Sequence, residues 1–136
     1  MLSALDKARI DYLRGQYLER GEGRPADLPA AVRLYRRAAM RGLPEAQHAL
    51  GFLYAIGYGV ARNEAMAVAW LKAAAKQDHA SAQHNLGVMY AEGRGVEQDE
   101  RTAIYWFYRA ALNGNEVSKD WISTTREHMC GDGSSD

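Results

Sequence analysis

AQHALGFLYAIGYGV at residues 46–60 and AQHNLGVMYAEGRGV at residues 82–96 are two copies of one pattern, and their shared spacing decides the fold. Gly51 and Gly87 stand 36 residues apart (87 minus 51), and the same step backwards from Gly51 lands on Gly15. The register holds for Gly21, Gly57 and Gly93, for Gly23, Gly59 and Gly95, for Ala31, Ala67 and Ala103, and for the pairs at Ala38-Ala39, Ala74-Ala75 and Ala110-Ala111. Three units follow one another without insertion or deletion, which is the signature of a stacked repeat array.

Within a unit the apolar spacing is helical. Ala46, Leu50, Leu53 and Tyr54 fall on one face of a first helix, which Gly57-Tyr58-Gly59 ends. Ala67, Trp70, Leu71, Ala74 and Ala75 fall on one face of a second, whose N-terminus Asn63 can cap, as Asp27 and Asp99 can in the other units. Small residues in the alanine pairs and the Gly51 column let helices approach closely, and Leu34, Trp70 and Trp106 fill one column of larger volume. The expected fold is all-α: a right-handed α/α superhelix, or solenoid, of three 36-residue hairpins spanning about 8–43, 44–79 and 80–115. The first unit is the most divergent copy, with Ile10 for Ala46, Leu18 for Tyr54 and Leu34 for Trp70. A polar capping helix at 116–129, with Val117, Trp121 and Ile122 as its apolar residues, completes one domain over 1–129, and 130–136 is expected to be a disordered tail.

The quoted strings, followed by A-x-x-W-x-x-x-A-A, resemble the Sel-one-like repeat, a relative of the tetratricopeptide repeats, over about residues 8 to 114. The resemblance implies a non-catalytic interaction scaffold that assembles complexes or receives peptides, usually on the concave surface. Some cysteine-rich relatives are credited with small-ligand or hydrolase-like activity, and these carry cysteine pairs within each repeat. This chain has a single cysteine, Cys130.

Composition narrows the function further. Seventeen basic and seventeen acidic side chains give a formal net charge of zero, so no global field draws the chain to nucleic acid or an anionic membrane. No stretch is apolar enough to cross a bilayer, and the start, MLSALDKARIDYLRG, lacks a signal core. The lone Cys130 excludes an internal disulfide and fits a reducing compartment. The expected location is cytoplasmic, or periplasmic if a leader has been removed.

The face of each first helix opposite the packing face is free to vary, and stacked together these faces make a groove. Its expected partner-binding residues are Tyr12, Gln16, His48, Phe52, Ile56, His84, Asn85 and Val88, an apolar centre with amide and imidazole flanks, suited to an aromatic or aliphatic anchor of a protein or peptide. His48 and His84 occupy one column and tempt a metal reading, but the third member is Tyr12 and no nearby Cys or placed carboxylate completes a ligand set, so no metal and no cofactor is expected. Arg33, Arg36, Arg37 and Arg41 form a basic stripe without interleaved stacking aromatics and read as a solvated convex face. Tyr105 and Tyr108 replace Arg33/Ala69 and Arg36/Lys72, and together with Trp121 they mark a second surface, either contacting the terminal helix or forming a homodimer. No catalytic residue is expected: the serines lack a nucleophile-elbow context, and the G-x-G elements are inter-helix turns.

Overall fold

A computed structural model describes residues 1–124. The described residues hold six helices, α1 (Ala4–Arg20), α2 (Leu28–Met40), α3 (Pro44–Ile56), α4 (Glu64–Ala75), α5 (Ala80–Glu92) and α6 (Glu100–Leu112), followed by helical residues 116–124, named α7, and no strand. Helices α1 and α2, α3 and α4, and α5 and α6 pair as hairpins, and α2 packs on α3 as α4 packs on α5, giving the expected helical solenoid. The remainder of the expected capping helix and the 130–136 tail lie outside the described residues.

The capping residues act as the sequence suggests. Asp27, Asn63 and Asp99 accept hydrogen bonds from the backbone N–H groups of Ala30, Met66 and Thr102 at 3.1, 3.0 and 3.2 Å. Gly21, Gly57 and Gly93 end the first helices in the left-handed conformation, and in each unit the chain then folds back onto the helix it has left. Asp27 N–H, Asn63 N–H and Asp99 N–H donate to the carbonyls of Leu18, Tyr54 and Tyr90, each at 2.9 Å. Those bonds fix the start of every second helix against the end of its first.

Two sets of glycines set how closely elements meet. A Cβ on Gly15, Gly51 or Gly87 would lie 2.7, 2.9 or 2.7 Å from Tyr35, Leu71 or Phe107, so one large side chain of each second helix presses directly on the first-helix backbone. Gly59 and Gly95 do the same between units. A Cβ on Gly59 would meet Leu28 Cβ at 2.9 Å, and one on Gly95 would meet the Glu64 carbonyl oxygen at 2.3 Å. The interior between these seams is built from small side chains and leucine, with Ala38, Ala74, Leu50, Leu86 and Ala110 wholly buried.

This geometry separates two equivalent glycines. Gly23 and Gly95 share φ values of 72° and 74°, but a Cβ on Gly23 meets nothing within 4 Å. Gly23→Ala should cost about 1 kcal/mol, the left-handed penalty alone. Gly95→Ala should cost about 3 kcal/mol, because a backbone clash is added to the same penalty. Urea unfolding of both variants beside the wild type checks the difference.

Candidate binding groove

The α-helical period puts residues four apart on one face, so Tyr12 and Gln16 on α1, His48, Phe52 and Ile56 on α3, and His84 and Val88 on α5 point the same way. Stacking the three first helices brings them into one row of hollows. The first, about 240 Å³, is lined by Tyr12, Gln16, Glu19, Tyr35, His48 and Phe52 among others. The middle one, about 140 Å³, lies between Phe52, Ile56, Asn85, Val88 and Arg94. The last, about 420 Å³, is bounded by His84, Val88, Glu92, Glu100, Phe107 and Trp121 among others. Phe52 and Ile56 stand half exposed at 49% and 51%, on the ridge between hollows, while Leu53 and Tyr54 beside them are buried.

The polar groups of the groove are held in place. Gln16 Nε2 donates to the Tyr12 hydroxyl at 3.0 Å, and Tyr35 donates its hydroxyl to Glu19 at 2.8 Å. Burial and that carboxylate push the Tyr35 phenol above its ordinary range. His48 lies against His79 with ring centroids 4.7 Å apart, and Asn85 Nδ2 donates to His48 Nε2 at 3.0 Å. Accepting that bond requires an unprotonated nitrogen. Burial first, and the neighbouring His79 second, lower the His48 pKa to about 4, so the ring is neutral at physiological pH. His84 Nδ1 is 2.8 Å from the buried Ser118 hydroxyl of α7, and its ring lies 5.5 Å from Phe107. The two histidines of one column therefore engage different partners rather than each other. Among the described residues no group of three or more His, Cys, Asp or Glu side chains is arranged to hold a metal ion.

Two sequence readings are corrected. The arginine stripe is not simply a solvated face: Arg37 grips Asp11 with two bonds of 2.8 Å, Arg41 adds one at 3.0 Å, and Arg36 donates to the Tyr54 hydroxyl at 2.8 Å. Asp11, only 4% exposed, is thus a buried carboxylate, and the Arg37 hydrogen bonds hold it below the usual carboxylate range. Trp121, grouped by sequence with Tyr105 and Tyr108, packs against Phe107 with centroids 4.6 Å apart and ring planes tilted by 45°, and lines the last hollow with His84. It belongs to the end of the groove because α7 lies where a fourth first helix would. Tyr105 and Tyr108 remain about half exposed, and the Tyr105 hydroxyl accepts from Arg109 at 2.9 Å.

Sequence reasoning missed Asp11 and His79. The signal for Asp11 is its column, Asp11/Gln47/Gln83, polar in all three units and buried in each. Its partners form a second polar column, Arg41/Gln77/Asn113, with Gln77 donating to Gln47 and Asn113 to Gln83, both at 2.9 Å.

The comparisons agree with this architecture. The Sel1 repeat family model matches residues 12–43, 44–79 and 80–115. A solved Sel1 repeat protein from Oxalobacter formigenes superposes with a TM-score of 0.79 at 34% identity, over 86% of this chain and 88% of that one. A protective antigen present in uropathogenic Escherichia coli strains, described as displaying an SLR fold, gives a TM-score of 0.79 at 40% identity over 82% of this chain. The cysteine rich protein B of Helicobacter pylori shares the fold, with a TM-score of 0.69 at 17% identity. An uncharacterized protein of Neisseria meningitidis serogroup B is 44% identical over 62 residues. The chain spans 24% of the Escherichia coli chain and 13% of the Neisseria protein.

The lowered His48 pKa has a consequence for stability. A ring that is neutral in the fold but titrates near 6.5 when unfolded makes its full contribution above about pH 7. That contribution is lost as pH falls from 6.5 towards about 4, where the folded ring takes up its proton. The melting temperature should therefore fall over this window, and His48→Gln should flatten the fall. Equal slopes for the two proteins would contradict the assignment.

Proposed function

The chain belongs to the Sel1 repeat family, and from that premise we propose that it is a non-catalytic adaptor that binds an extended protein segment along the groove of its first helices. The observation that carries this reading is the pair Phe52 and Ile56, two large apolar side chains left half exposed between hollows whose polar walls are already hydrogen-bonded among themselves. A surface of this kind gains from covering its apolar centre and loses little from polar groups left unpaired. Burying the exposed half of each side chain contributes about 1 kcal/mol, the scale at which a few anchors carry a peptide complex.

Hollows at both ends of the ridge fit a segment presenting successive side chains. Tyr12, Gln16 and His48 receive one end, Asn85 and Val88 the middle, and His84 with Trp121 the other. No helix among the described residues is long and apolar enough to cross a membrane. Self-association through Tyr105 and Tyr108, each about half exposed, is the second reading, favoured by the replacement of Arg33/Ala69 and Arg36/Lys72 by exposed aromatic rings in the third unit.

The test is a tagged pull-down from the source organism with wild type and Phe52→Glu. Because Phe52 is half exposed, the variant should keep the wild-type circular dichroism and melting behaviour. A partner captured by wild type should be lost at least about tenfold in the variant, the effect of removing a central anchor. Equal capture would overturn the groove and leave the Tyr105/Tyr108 surface as the site.

A further inference from the structure

The second helices carry a charge asymmetry that the zero net charge conceals. Helix α2 contains no acidic residue, and those of α4 and α6 are confined to the first turn, Glu64 and Glu100. The cations of these helices and their ends divide into two classes. Arg37 and Arg41 are paired with Asp11, Arg109 is paired with Asp78, and Arg101 acts on Asp99. No ion pair among the described residues includes Arg33, Arg36, Lys72 or Lys76. Arg36 donates to the Tyr54 hydroxyl at 2.8 Å, and the Lys72 ammonium lies 5.9 Å from the centre of the ring of Tyr90, the equivalent tyrosine one unit on. Both cations are thus held by a neutral side chain of the next hairpin and keep their charge.

Helical spacing puts Arg33, Arg36 and Met40 on one side of α2. The 36-residue step carries that side to Lys72 and Lys76 on α4, and then to Tyr105, Tyr108 and Leu112 on α6. Its exposure owes nothing to either end of the array, because the column Met40/Lys76/Leu112 is exposed in all three units. We infer that this outer face of the second helices docks peripherally on an anionic phospholipid bilayer. The cations of α2 and α4 meet headgroup phosphates, and Tyr105, Tyr108 and Leu112 enter the interfacial layer. Cations alone would suit any polyanion, and the apolar tips decide between them. Met40 at 74% and Leu112 at 84% exposure gain from acyl chains and nothing from a phosphate backbone. None of the hollows along the groove is lined by these residues, so a flat occupant suits the face better than an anchored side chain.

The test is co-sedimentation of the full chain with vesicles of equal parts phosphatidylglycerol and phosphatidylcholine at low salt. Four cations at about a fivefold gain each give a partition coefficient on the order of 1000 per molar, half-binding at about 1 mM accessible lipid. Binding should vanish on pure phosphatidylcholine and at about 0.5 M salt. Arg33→Gln with Lys76→Gln should weaken it about 25-fold, and Leu112→Ser about fivefold, with melting temperatures unchanged. Arg9→Gln, which removes a cation from a first helix, and Phe52→Glu in the groove should each change it by less than about twofold. No partition at about 5 mM lipid, or equal losses from Arg9→Gln and Arg33→Gln, overturns the inference. So does saturable binding to a glutamate 20-mer or to oligouridylate at lower concentration than to vesicles, which would make the occupant an acidic protein or an RNA. A dimer in sedimentation that Tyr108→Glu dissolves overturns it as well, because a second copy would then cover this face.

Discussion

The close seating of one large side chain on a glycine in every hairpin, Tyr35 on Gly15, Leu71 on Gly51 and Phe107 on Gly87, is the contact on which the other features depend. With no side chain on the first helix at that point, the second helix comes near enough for the alanines around it to be wholly buried. The contact also fixes rotation. Once the glycine column faces the second helix, the period of the helix turns Phe52, Ile56 and Val88 to the opposite side, where they line the hollows. The groove is therefore a by-product of the packing seam, and its outermost residues, Phe52 and Ile56, are half exposed and stand outside the buried core.

A second constraint runs between hairpins and is polar. Gln47 and Gln83 each donate to a carbonyl near the end of the preceding second helix, Ala39 at 3.1 Å and Ala75 at 3.0 Å, and each accepts from the residue in the Gln77/Asn113 column. These amides add a second donor to helix-terminal carbonyls that already accept from the Gly42 and Asp78 N–H groups at 3.0 and 3.1 Å, and so tie each first helix to the end of the helix before it. In the first unit the same two columns become a carboxylate and a guanidinium, Asp11 and Arg41, reinforced by Arg37. One pair of positions thus serves as an amide pair in two units and as an ion pair in the first.

The repeat made much of this legible before any coordinates. Columns 36 residues apart located the helices, the caps at Asp27, Asn63 and Asp99, the glycine turns and the outward row of Phe52 and Val88. The polar pairs were hidden because they join different columns, at a separation of 30 residues in Asp11–Arg41, Gln47–Gln77 and Gln83–Asn113 alike. Comparing equivalent positions cannot show which column meets which. The same reason concealed the packing of His48 against His79 and the reach of the exposed Arg37 side chain to the buried Asp11 carboxylate. Trp121 was misplaced because α7 continues the array as a half unit, so its outward face joins the groove.

A protein built this way offers a surface whose shape is set by the repeat and whose specificity is set by a few variable side chains. The most direct test is chemical-shift mapping with isotope-labelled chain, titrated with a peptide selected against it from a display library. The account predicts that the largest backbone shifts fall on Tyr12, His48, Phe52, Asn85 and Val88, with the Trp121 indole moving as the groove fills. Shifts confined to the second helices and to Tyr105 and Tyr108, with the first-helix amides unmoved, would contradict it.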